Sequence, residues 1–142
     1  MLEWLEFELK TLEEVGGTAI ITQHVPYSHD CTEAIGRRLI AILDRFQTVV
    51  RVNFASHIHL NNIEVLKSPT TQAPFGIQFV QGSLTPFNDE KSKNPCIGLA
   101  YLSADSLLPI DYETYSFDLQ DANEHNFANW QRTGDLRKDF NL

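Results

Sequence analysis

The sequence predicts an α+β fold: a mainly antiparallel sheet of about five to six strands, with about three helices packed mostly on one face. Three observations predict it. Several segments between residues 50 and 119 alternate apolar and polar side chains with period two. These segments follow one another without helical patterns between them, and consecutive strands tend to pair as antiparallel neighbours. Helical apolar spacing is confined to the N-terminal segment, residues 30–46 and a stretch after residue 120, the arrangement expected when helices cover a sheet.

Residues 2–14 place Leu2, Leu5, Leu9 and Leu12 at helical spacing, although Leu5, Phe7 and Leu9 also alternate as in a strand. Leu and Glu are good helix formers and Gly16-Gly17 supply a stop, so a helix is expected. Residues 18–25 read as a strand, buried on both faces at Ala19-Ile20-Ile21 and ended by Pro26. A helix follows, with Asp30 as N-cap and Glu33 completing a capping box. Ile35, Leu39, Ile42 and Phe46 line its inner face, and Gly36 marks a place where another element comes close.

Val50, Val52, Phe54, Ile58 and Leu60 keep one phase, which flips at Asn61-Asn62 so that Ile63 and Val65 become the apolar positions. This predicts a β-hairpin turning at Asn61-Asn62, with His59 opposite Glu64 and His57 on the same face. Three strands follow, around Phe75–Phe79, Ile97–Tyr101 and Tyr115–Leu119. The middle one is apolar on both sides and is expected at the centre of the sheet. Asp121 and Glu124 suggest a capping box for a last helix that uses Phe127 and Trp130 and stops near Gly134. Residues 135–142 are expected to fray or dock as a tail. The loops at 68–74 and 84–95 are rich in proline and polar residues, and the second is long enough to be a functional loop.

The chain has 142 residues, 42% of them hydrophobic, which suits one domain spanning 1–142 with one core. No apolar run is long enough to span a bilayer, and the acidic N-terminal segment is unlike a signal peptide. A cytoplasmic protein with two reduced cysteines, Cys31 and Cys96, is therefore expected. A formal net charge of −8 argues against nucleic acid and membrane as partners. No P-loop, GxGxxG, GxSxG or HExxH motif is present, and the sequence predicts no cofactor.

Three constellations bear chemistry. Cys31, expected at the first position of a helix, is a candidate nucleophile with His57 or His59 as its base. The plainer reading is an inert thiol, because Asp30 and Glu33 oppose a thiolate there. His57 and His59, separated by one residue and facing Glu64, could ligate a metal with His24 or His29 as a third donor, or form a general base. Their plainer reading is the wet face of a hairpin, so no metal site is assigned. The acids of residues 105–124 alternate with aromatic residues, and Asp105, Asp111, Tyr112, Glu113, Tyr115 and Asp118 make a candidate surface for a basic protein. The expected function is accordingly a non-catalytic, acidic binding module resembling an inhibitor or immunity protein in composition, of open oligomeric state. The alternative is a small thiol-dependent hydrolase or transferase. The balance leans away from an enzyme.

Overall fold

The computed structural model describes residues 1–29, 31–85 and 93–141. They form α1 (Leu2–Glu14), β1 (Ala19–Thr22), α2 (Glu33–Arg45), β2 (Val50–Ala55), β3 (Asn62–Lys67), β4 (Pro74–Val80), β5 (Cys96–Leu102), β6 (Pro109–Ser116), α3 (Leu119–His125), β7 (Gln131–Asp135) and α4 (Leu136–Phe140). The mixed α+β class holds. The expected single, mainly antiparallel sheet is replaced by two sheets, in the orders β1-β2-β4-β3 and β5-β6-β7. The chain divides into two compact units, Met1–Ala55 with Ile63–Phe79, and Ser56–Asn62 with Val80–Leu142.

In the first unit β1 and β2 pair in parallel, with Ile20 opposite Val52 and Thr22 opposite Phe54. Parallel strands need a crossover of a dozen or more residues, which α2 provides. The helix carries most of the stripe read from its sequence: Leu39, Ile42 and Phe46 are buried, joined by Ile40 and Leu43, whereas Ile35 is exposed. Leu43 and Leu39 pack with Leu66 of β3, Ile21, Val50 and Phe75; Ile42 and Phe46 pack with Leu9, Leu5 and Leu12 of α1. Residues 2–14 are thus a helix, and Gly16 takes a positive φ of 69° just past its end. Gly36 makes the expected close approach, since a Cβ there would lie 3.1 Å from the Tyr27 carbonyl oxygen. The expected cap Asp30 lies outside the described residues, and Thr32 occupies the N-cap position of α2. Ile20 is largely exposed, so β1 is not buried on both faces.

The hairpin expected at Asn61-Asn62 is not formed. β3 lies next to β4 rather than β2, and residues 56–61 are a loop joining two non-adjacent strands. An apolar phase flip marks a change of face, which a loop between separated strands produces as readily as a tight turn.

In the second unit β6 is central and β5 is an edge strand, the reverse of the sequence expectation. Ile97, Leu99 and Tyr101 are substantially exposed, so an apolar composition on both sides did not secure a central position. Strand β6 runs Pro109–Ser116, earlier than expected. The last helical stretch is shorter too: Asp118 rather than Asp121 is the cap, accepting a hydrogen bond from the Asp121 amide at 2.9 Å, and α3 ends at His125 on a left-handed Asn126. Trp130 instead meets Phe117 edge to face at 4.7 Å, and Gln131–Asp135 pairs with β6. The expected tail is helical, with Asp135 capping α4 and the Arg137 amide donating to Asp111 at 3.3 Å. Among the described residues no helix is long and apolar enough to cross a membrane.

Candidate functional site

The structure redraws all three constellations. Cys31 precedes the N-cap of α2 instead of occupying the first helical turn, so it loses the end-on exposure to the helix dipole that its activation required. Its thiol approaches the Pro26 carbonyl oxygen at 4.0 Å, an acceptor and not a base. It sits in the wall of an apolar cavity of about 470 Å³ lined also by Trp4, Leu5, Ile21, His24 and Leu39.

Glu64 faces neither His57 nor His59 across a hairpin. Within the first unit the Ser28 hydroxyl donates to its carboxylate, 2.9 Å from both oxygens, Gln78 donates to it at 2.8 Å, and it lies 3.5 Å from His29 Nε2. Gln78 is fully buried and its own carbonyl oxygen accepts from Gln23 at 3.1 Å. This chain of side chains ties the segment after β1 to β3 and β4. Burial, reinforced by the Glu64 charge, raises the Tyr27 pKa above that of a free phenol.

Glu113, Asp111 and Asp118 of the second unit are engaged in contacts within it. Glu113 accepts hydrogen bonds from Tyr101, Tyr115 and Arg132 at 3.0, 2.8 and 2.7 Å. Those bonds, led by Tyr115 and then Arg132, hold its carboxyl below the ordinary carboxylate value. Asp111 accepts from the Tyr112 and Arg137 amides, Asp118 caps α3, and Asp105 is exposed. Tyr112 is buried, its hydroxyl donating to Gln81, so it offers no aromatic anchor at the surface. Burial pushes its phenol up to about 12.

What remains, and stands out physically, is the loop 56–61 of the second unit. His57 and His59 both adopt left-handed backbone, with φ of 68° and 57°. Such backbone is costly for residues with a Cβ, and it persists where surrounding structure compels it, often at functional sites. The loop is fastened at three points. The Ser56 hydroxyl donates to the Gln81 carbonyl oxygen at 3.2 Å, and His59 Nδ1 lies 2.7 Å from the Thr85 carbonyl oxygen. Asn61 accepts from the Gly82 amide at 2.9 Å and donates to the Cys96 sulfur at 2.7 Å. A carbonyl oxygen can only accept, so Nδ1 of His59 carries the proton. In the neutral ring the lone pair is then on Nε2. Metal-bound histidines are held in this way, with the second nitrogen donating to a carbonyl or carboxylate. Among the described residues no group of three or more His, Cys, Asp or Glu is placed to hold a metal. The pair therefore supplies part of a shell at most.

The sequence picked out His57 and His59 but placed them on a strand. It missed Asn61, Gly82, Thr85 and Cys96 as their supports. The one legible signal was the length of the 84–95 loop, whose residues 86–92 lie outside the described residues.

No family model matches the chain. It is similar to sphingomyelin phosphodiesterase of Bos taurus, at 28% identity over 87% of this chain and 20% of that protein. It is similar to the Homo sapiens sphingomyelin phosphodiesterase, at 26% identity over 99% of this chain and 23% of that protein. A cyclic GMP-AMP phosphodiesterase of Homo sapiens matches at 27% identity over 91% of this chain and 31% of that protein. The chain thus spans between a fifth and a third of the length of these relatives. All three are enzymes by name, which overturns the expected non-catalytic inhibitor and gives no support to its thiol-dependent alternative. The chain is similar over nearly its whole length to a segment of phosphodiesterases.

Proposed function

We propose that this chain is part of a phosphodiesterase, in which His57 and His59 meet the phosphodiester through a divalent cation. The observation that carries this reading is the His59 Nδ1 contact with the Thr85 carbonyl oxygen on left-handed backbone. It fixes a tautomer in which the second ring nitrogen carries a lone pair and not a proton. A lone pair repels an anionic phosphodiester, and an intervening cation reverses the sign of that interaction. A cation held there would neutralise phosphate charge and make bound water a stronger nucleophile. The chain's own part is to hold the His59 imidazole, and the backbone of both histidines, in place before the substrate arrives, which avoids reorganisation during reaction. The remaining donors of a complete shell lie outside this pair. The sequence expectation of no cofactor gives way in this reading.

The substrate class follows the names of the relatives, whose substrates, a lipid and a cyclic dinucleotide, share a phosphodiester. Calorimetric titration with zinc tests the reading alongside hydrolysis of bis(4-nitrophenyl) phosphate. Zinc binding is expected, weakened about tenfold or more by His59→Ala, and hydrolysis is expected to stop with a chelator. Zinc affinity unchanged in both His57→Ala and His59→Ala, or chelator-resistant hydrolysis, would overturn it.

A further inference from the structure

We propose that Asn61, clasped by its side-chain amide between the Gly82 backbone and the Cys96 thiol, is the positioning residue that imposes the left-handed backbone of His57 and His59. The proposal rests on the reading of the histidine pair just given, but it concerns the loop's conformation, which can be measured without a metal.

The argument starts from cost. Two left-handed residues separated by one position do not persist in a six-residue connection unless both ends are held. The N-terminal end continues from β2 and is tied by Ser56 to Gln81. The C-terminal end has Asn61, whose amide uses both functions at once: Oδ1 accepts from Gly82 and Nδ2 donates to the Cys96 sulfur. An amide satisfied on both sides fixes direction as well as distance, which a single hydrogen bond does not. Gln81 also donates to Cys96 at 3.5 Å and accepts from the Tyr112 hydroxyl. Cys96 is buried at 6% exposure, so the clasp is anchored to the start of β5 and not to a surface group.

Gly82 is shaped to this clasp. A Cβ there would lie 3.1 Å from the Cys96 sulfur and 3.2 Å from Asn61 Oδ1, so a methyl group would wedge the two apart. Its φ is not in the left-handed region, so Gly82→Ala perturbs the clasp without straining its own backbone. Asn61 serves the histidines as an outer partner serves a metal ligand: it touches neither substrate nor cation and acts through the backbone it holds.

The test is NMR of the full chain. Three-bond amide–Hα couplings report the φ of His57 and His59, and long-range nitrogen–proton spectra report the His59 tautomer. Asn61→Ala and Gly82→Ala are expected to shift both couplings toward averaged values, to mix the His59 tautomers and to weaken zinc binding about 10- to 100-fold. Cys96→Ser keeps an acceptor for the Asn61 amide and is expected to retain the wild-type spectra, whereas Cys96→Ala is expected to lose them. If Asn61→Ala fails to fold, the Cys96 pair and Gly82→Ala decide by the same readouts. Wild-type couplings and tautomer in Gly82→Ala and Cys96→Ala would overturn the proposal. A wild-type chain that binds no zinc, with these shifts still seen in the variants, would sink the phosphodiesterase reading and leave the clasp standing.

Discussion

The two units are held together by different forces. In the first, Leu9 packs with Ile42, Phe46 and Val49, Leu39 and Leu43 pack with Ile40 and Leu66, and Val52 and Phe79 are fully buried. In the second, the buried apolar side chains among the described residues are Val80, Pro95, Cys96 and Tyr112, while Ile97, Leu99, Ile110 and Phe127 are substantially exposed. There the Glu113 cluster, the Asp118 and Asp135 caps and the Asn61 clasp supply the specific contacts. Apolar burial is strong and non-directional. Hydrogen bonds are individually weak and directional. A scaffold calls for the first property. A loop held on left-handed backbone at two positions calls for the second, and it is the second unit that carries that loop.

The comparison is sharpened most by cavity formation. Leu43→Ala is expected to destabilise the first unit by roughly 3 to 4 kcal/mol, from lost transfer energy and an unfilled cavity. Leu99→Ala in the second unit should change stability by less than about 0.5 kcal/mol, because its side chain is already exposed. Denaturant titration of both variants measures the contrast, and equal losses would break it.

A smaller effect lies in Tyr112. Its folded pKa of about 12 exceeds the unfolded value near 10, so native structure favours the protonated phenol. That stability is complete below pH 10 and is lost as pH rises from about 10 to about 12, by about 2 to 3 kcal/mol. Thermal melts of wild type across this range should decline more steeply than those of Tyr112→Phe. Parallel declines would show that the tyrosine does not titrate as buried.

A smaller loss than that of Leu43→Ala or of the Tyr112 titration is expected from removing a single cap. Asp118→Ala removes the acceptor for the Asp121 amide and should cost about 1 kcal/mol. Faster amide exchange at Asp121 and Ala122, with the first unit's amides unchanged, would check it.

Legibility followed the same division. The helix 33–45 could be read because its inner face repeats every three to four residues over several turns, and burial of that face needs no particular partner. The N-terminal helix followed from composition and its terminal glycines. The loop 56–61 could not be read, because Ile58 and Leu60 continue the alternation of β2 although the chain has left the sheet. Two-residue alternation is a statement about faces and is silent on which strand lies alongside. The misplaced Glu64 partner followed directly: a carboxylate assigned to His59 by register belongs to Ser28, Gln78 and His29.

By itself the sequence determined that this chain folds as mixed α and β structure, that α2 buries one stripe, and that His57 and His59 are chemically conspicuous. The tertiary structure decided the division into two sheets, the edge position of β5 and the left-handed turn at both histidines. The physical reason is range. Periodicity is a local property of the chain. Strand neighbours, and the carbonyl that fixes a histidine's tautomer, are set by residues 20 to 30 positions away, as Thr85 is from His59.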